Sequence, residues 1–142
     1  DLSAFKAAGA KAIVFQGWQD AVVNPVDTIA YAERVAAAQG SQAERDKFYR
    51  LFLVPGMGHC SGGAGATTFG NSGGQAPNPN ADNDLLMALD RWVEQGQAPT
   101  HIVASRVSAG NVVRTRPLCP HPQTAVYKGA GSTDEAASFI CQ

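Results

Sequence analysis

The sequence is poor in several things, and each scarcity narrows what it does. Only 16% of its 142 residues are charged, the net charge is −1, and Lys and Arg form no cluster. Nucleic-acid backbones and anionic membrane surfaces are bound through concentrated positive charge, so neither a nucleic-acid nor a membrane partner is expected. Long apolar runs are missing as well. The longest, Leu51–Val54 with its neighbours, falls far short of the ~18 residues of a transmembrane helix. Cysteine is scarce and odd in number: Cys60, Cys119 and Cys141. Two of them near the chain end suggest an oxidising compartment, against the alternative of three reduced thiols in a reducing one. The chain opens at Asp1 with DLSAFKAAGAKAIVF, which reads as a helix end running into a buried strand. A fragment or a processed chain is therefore expected.

What is present is an ordinary 44% of hydrophobic residues, enough for one domain with a core. No internal repeat or second domain is evident. Lys11–Phe15, KAIVF, is a short apolar run between glycines and reads as a buried parallel strand. Asn24 and Pro25 supply an N-cap and a first helical position, apolar residues then recur at helical spacing, and Gly40 marks the stop. Phe48–Val54 is the next strand. A loop rich in Gly, Asn, Ser and Pro runs from Pro55 to about Asn80, a length that is often functional. Leu85, Leu86, Leu89, Trp92 and Val93 define an amphipathic helix capped by Asp82 or Asn83 and ended by Gly96. His101–Val107 and Asn111–Arg116 read as a hairpin turning at Ser108-Ala109-Gly110. Ser132–Glu135 reads as a capping box opening a short helix to Ile140. The order predicts an α/β fold with a parallel sheet and a crossover helix.

In open α/β sheets chemistry sits beyond the carboxyl ends of strands. Two loops qualify: Gln16-Gly17-Trp18-Gln19-Asp20 after the first strand, and the loop holding His59 after the second. An aspartate that accepts the Nδ1–H bond of a histidine fixes its tautomer and leaves the other nitrogen free to take a proton from a hydroxyl. Acid before histidine is the order of the α/β-hydrolases. Taken singly, Asp20 reads as a turn residue and His59 as a surface loop residue. Together, after successive parallel strands, they read as a catalytic pair. Gly70-Asn71-Ser72-Gly73-Gly74 matches G-x-S-x-G, but no strand enters it and no helix leaves it, so it is rejected as a nucleophile elbow. Ser61 and Cys60 are too close to His59 in sequence to line up with its ring. The nucleophile is expected outside these residues. Cys119-Pro120-His121 lacks the spacing of a structural zinc site, so no metal is expected. Trp18 and Trp92 read as packing residues, and Arg106, Arg114 and Arg116 as a solvated face.

The segments DLSAFKAAGAKAIVFQGWQD, FYRLFLVPGMGHC, LDRWVEQGQAP, VVRTRPLCPHP and GSTDEAASFIC together resemble the C-terminal part of the tannase and feruloyl esterase family, serine carboxylesterases on an α/β-hydrolase fold. The resemblance covers essentially the whole chain. It implies a single partial domain over 1–142: parallel strands with a crossover helix, a hairpin and a short C-terminal helix. It implies Asp20 as triad acid and His59 as triad base, in an enzyme that hydrolyses esters of aromatic acids. It pairs Cys119 with Cys141, and Cys60 with a cysteine beside the serine upstream. It places Val22 and Val23 near the acyl pocket. Serine, oxyanion hole and a lid domain with its calcium site would lie upstream, so no cofactor is expected in these residues. The expected partners are an aromatic ester substrate in the parent enzyme and the missing N-terminal half, or self-association. The expected location is secreted or periplasmic, and the expected activity of the isolated chain is nil. The alternative is a non-catalytic remnant or binding segment. Two departures stand out: Gln16 replaces the histidine common before this glycine, and Ser61–Asn80 is longer and richer in Asn and Pro.

Overall fold

A computed structural model describes residues 1–142. A short helix, α1 (Ser3–Ala7), leads into strand β1 (Ala12–Gly17), and helix α2 (Pro25–Ala38) crosses over to β2 (Tyr49–Val54). β1 and β2 pair in parallel, in register from Ala12↔Tyr49 to Gly17↔Val54. Side chains on a strand alternate between faces, and both faces of this pair are covered. Ala12, Val14, Tyr49, Leu51 and Leu53 pack with Ala32 and Val35 of α2. Ile13, Phe15, Phe52 and Val54 pack on the other side with Met57, Phe69 and Ala88. Ala88 belongs to helix α4 (Leu85–Gln95), so the sheet lies between helices, as its near-continuous apolar strands require.

The predicted boundaries of α2 hold, with the Asn24 side chain accepting from Val26 N–H and Pro25 at the first position. A five-residue helix, α3 (Gln42–Asp46), capped by Ser41, was not anticipated. It carries Arg45, 2% exposed, which bonds Asp46 and the His121 carbonyl. The cap of α4 is Asp84 rather than Asp82 or Asn83; its carboxylate accepts from Leu86 and Met87 N–H at 3.1 Å. Asp82 instead pairs with Arg91, and the Asn83 amide bonds the Pro77 carbonyl.

The long loop after β2 lacks helices and strands but is held in place. Met57 and Phe69 are fully buried in the core, and Thr68 exchanges backbone hydrogen bonds with Ser105. Ser105 lies in β3 (Ile102–Ser108), which forms an antiparallel hairpin with β4 (Asn111–Leu118). The turn is the two-residue pair Ala109-Gly110, both at positive φ (48° and 80°), one residue shorter than expected and of the kind that matches strand twist. Beyond β4, Pro120 bridges Phe52 and His121 N–H bonds the Leu51 carbonyl, so this segment covers the second edge of β2. The free edge of β1 has no strand partner in the chain.

The expected C-terminal helix is not formed. Ser132 Oγ accepts from Asp134 N–H, two residues on, and the chain makes one 3-10 turn (Ala136–Ser138) before strand β6 (Phe139–Cys141). β6 pairs antiparallel with β5 (Ala125–Tyr127). Helix nucleation is costly, and these few residues are drawn elsewhere: Ala136 N–H donates to Thr115 Oγ1 at 2.8 Å and Lys128 N–H to the Ser138 carbonyl. The hairpin arginines are likewise not a merely solvated face. Arg106 bonds the Ala64 carbonyl, Arg114 pairs with Asp134 at 2.6 Å, and Arg116 stacks 4.1 Å from the Phe139 ring.

Candidate active site

β1 and β2 end side by side at Gly17 and Val54. The loops that follow are stitched to each other: Trp18 N–H donates to the Val54 carbonyl at 3.1 Å and Gln19 N–H to the Met57 carbonyl at 2.9 Å. The approach is close at Gly17, where a β-carbon would fall 2.3 Å from the Gly58 oxygen and 2.5 Å from the Met57 oxygen. Only glycine fits there. Gly17→Ala is expected to cost about 1–3 kcal/mol through overpacking and to move the His59 loop away from Asp20. Urea unfolding reads the first effect and the His59 ring resonances read the second; an unchanged midpoint and spectrum would refute it.

The stitched loops bring Asp20 and His59 together. Asp20 Oδ2 lies 2.9 Å from His59 Nδ1. The Asp20 side chain is 2% exposed, whereas His59 is 50% exposed and presents its outer ring edge to solvent. Asp20 Oδ1 accepts from the Val22 and Val23 N–H groups at 2.8 and 2.9 Å. Oδ2 also accepts from Gln16 Nε2 at 2.9 Å. The Val23 N–H most of all, with smaller contributions from His59, Val22 and Gln16, holds this carboxyl well below the usual carboxylate range; partial burial opposes them. The carboxylate is ionised, fixed by donors on both oxygens, and directed at Nδ1. His59 is thereby set with Nδ1 as donor and Nε2 as the free acceptor.

The other predicted residues fall as follows. Val22 and Val23 are close to Asp20, but they reach it through backbone N–H groups; their side chains are exposed, Val22 at 76%. Cys119 and Cys141 form a disulfide. Cys60 is a free, exposed cysteine next to His59, with φ at +60°. Trp92 is buried in the protein, whereas Trp18 is half exposed on the acid loop.

Two groups of residues were missed. In the sequence Gln16 stands out only as a departure from the family pattern, whereas in the structure it bonds the Asp20 carboxylate directly. Asn71 and Ser72, from the rejected G-x-S-x-G match, hold the histidine loop: Asn71 Nδ2 and Ser72 Oγ donate to the Cys60 carbonyl at 3.0 and 2.6 Å. Gly74 N–H closes their tight turn onto the Asn71 carbonyl. Their Asn-Ser pair in a glycine-rich turn was the one available signal for such a clamp.

A parallel β–α–β unit with an acid loop after one strand and a histidine loop after the next is the C-terminal portion of an α/β-hydrolase fold. The chain belongs to the tannase and feruloyl esterase family, whose pattern it matches over residues 1–142. It is 45% identical to an uncharacterized esterase of Xanthomonas campestris pv. campestris, across 99% of this chain and 27% of that protein. It is 44% identical to a mono(2-hydroxyethyl) terephthalate hydrolase of Piscinibacter sakaiensis, across 99% of this chain and 21% of that one. Feruloyl esterase B from Aspergillus oryzae superposes on all of it with a TM-score of 0.92 and 31% identity, over 28% of the solved chain. The chain thus spans about a quarter of the length of the curated relatives it matches.

Proposed function

We propose that these residues supply the acid and base of a serine carboxylesterase acting on esters of aromatic acids, feruloyl or galloyl esters among them. The observation that carries this reading is the Asp20–His59 bond at the ends of adjacent parallel strands, in a chain of esterase family. The nucleophilic serine belongs to the part of the protein upstream of residue 1, consistent with a chain that spans about a quarter of its relatives. His59 Nε2 takes the serine proton as Oγ attacks the ester carbonyl, then gives it to the departing alcohol. In deacylation it takes a proton from water as that water attacks the acyl carbonyl, then gives it to the serine Oγ as the acyl–Oγ bond breaks, freeing the acid and restoring the serine. Asp20 orients the ring and stabilises the imidazolium. Val22 and Val23, exposed beside the acid, line the acyl side of the substrate. Cys60 pairs with an upstream cysteine next to the serine, and the enzyme works in a secreted or periplasmic setting where such bonds persist.

The test is hydrolysis of methyl ferulate and methyl gallate. The purified 142-residue chain is expected to show none. A form extended upstream to include a serine elbow is expected to turn over at least one ester, and to lose that activity with His59→Ala. Saturable hydrolysis by the short chain, or full activity in the His59→Ala form, would overturn the proposal. So would an extended chain that binds aromatic esters without cleaving them, which is the behaviour of a non-catalytic binding segment.

A further inference from the structure

Gln16 sits one residue before the end of β1, with its side chain buried beneath the acid loop. Its amide touches two elements. Oε1 lies 3.1 Å from Thr28 Oγ1 of α2. Nε2 lies 2.9 Å from Asp20 Oδ2 and 3.4 Å from the Val23 carbonyl oxygen. A carboxylate and a carbonyl only accept, so the amide nitrogen has to face them, and the Thr28 hydroxyl donates to the amide oxygen. Asp20 Oδ2 therefore serves two donors, His59 Nδ1–H and Gln16 Nε2–H. Oδ1 is pinned independently by the Val22 and Val23 N–H groups. His59 is the only ionisable side chain bonded to this carboxylate.

We infer that Gln16 is a positioning residue that competes with His59 for one oxygen of Asp20 and so limits how strongly the acid holds the histidine's Nδ1 proton. The inference rests on reading Asp20 and His59 as the catalytic pair. The pull of a carboxylate oxygen on a donor weakens when a second donor shares its electron density. Gln16 provides that second donor without adding charge, and Thr28 keeps its amide in place. The orientation of Asp20 does not depend on it, because Oδ1 is fixed by backbone. Chemically, a tempered acid suits a histidine with two tasks. The imidazolium must form when Nε2 takes the serine proton, yet must release that proton to the leaving alkoxide in the next breath of the cycle. An acid that held the imidazolium too strongly would favour the first task and slow the second.

The experiment is NMR of the 142-residue chain, reading the His59 Nδ1–H resonance, the ring nitrogen shifts that report the tautomer, and the Asp20 carboxyl carbon. Gln16→Leu is expected to move the Nδ1–H resonance downfield, since Oδ2 then serves His59 alone, and to shift the Asp20 carboxyl titration to higher pH. Thr28→Val, which frees the amide without touching Asp20, is expected to move both signals the same way by less. Gln16→Glu places a second carboxylate against Oδ2 and is expected to raise the Asp20 titration by about one unit or more through like-charge repulsion. If Gln16 were only a structural support, Gln16→Leu would loosen the site, and the Nδ1–H signal would move upfield or broaden away. That outcome, or no movement in Gln16→Leu and Thr28→Val, overturns the inference. Asp20→Asn separates the two levels of the argument. If it shifts the His59 tautomer while the Gln16 variants shift nothing, only the role of Gln16 fails. If it leaves the ring unmoved, the catalytic pair itself is refuted.

Discussion

If the chain belongs to the serine carboxylesterase proposed above, Asp20→Asn in a form extended to the serine is expected to lower kcat by about 10⁴-fold with KM little changed. The reason lies in which atoms face Asp20. Its Oδ2 meets two donors, His59 Nδ1–H and Gln16 Nε2–H, while Oδ1 meets two backbone N–H groups. An asparagine keeps its oxygen on the backbone pair, so its NH₂ falls where Oδ2 was. That NH₂ confronts donors. The least costly response is for His59 to change tautomer, accepting at Nδ1 and carrying its proton on Nε2. Nε2 then has no lone pair with which to take the serine proton. Steady-state kinetics on methyl ferulate check this, together with ring nitrogen shifts that report the tautomer. A loss below tenfold would show that Asp20 does not set the tautomer. The same residue gives a pH prediction for folding. Asp20 titrates below its ordinary value of 3.8 in the folded chain, so its contribution to stability is complete above that value and is lost as pH falls through the folded pKa. Asp20→Asn is expected to flatten the acid side of the stability profile, read by urea unfolding at a series of pH values.

Much of the frame was legible because its determinants are local. Asn24-Pro25 caps α2 through one side chain and one ring, and Gly96, at φ +69°, stops α4 in the way a helix end favours. The pairing of Asp20 with His59 was legible for a different reason: two parallel neighbours joined by a crossover helix present their following loops at one sheet edge. What stayed hidden depends on residues that meet only after folding. The Gln16 amide finds Asp20 four residues on and Thr28 twelve residues on, a geometry with no sequence period. Asn71 and Ser72 reach back to the Cys60 carbonyl across a loop, so the motif first tested as a nucleophile is a clamp on the histidine loop. The C-terminal capping box failed because its local preference was outweighed by strand pairing with Ala125–Tyr127 and by bonds to Thr115 and Lys128. Arg116 was misread for the same cause: the Phe139 ring it covers arrives from the end of the chain.

Replacing both Cys119 and Cys141 by serine is expected to lower the unfolding free energy by about 3 kcal/mol, with a single cooperative transition retained. The bond joins residues 22 apart in sequence. It links the segment beside β2, where Pro120 and His121 cover the strand edge, to the last strand of the chain. The tail has little else to hold it. All three residues of β5 are exposed, and within Ala136–Cys141 only Ser138 is fully buried. Its other ties are few and individually modest: the exposed Arg114–Asp134 pair, the Arg116–Phe139 stack and the Ala136 N–H bond to Thr115 Oγ1, of kinds worth roughly 0.5–1.5 kcal/mol each. Closing the loop restricts the unfolded chain, so the loss should appear in global stability rather than only as fraying of the tail. The double replacement is required because a single one leaves a second free thiol, which air oxidation can join to the exposed Cys60 in a new disulfide. Cys60→Ser, which removes no bond in this chain, serves as the control and is expected to leave the unfolding midpoint unchanged. Urea unfolding with hydrogen exchange decides the matter. If the double variant keeps the parental midpoint and loses protection only over Ala125–Cys141, the tail is a separate appendage and the disulfide does not support the core beneath the Asp20–His59 pair.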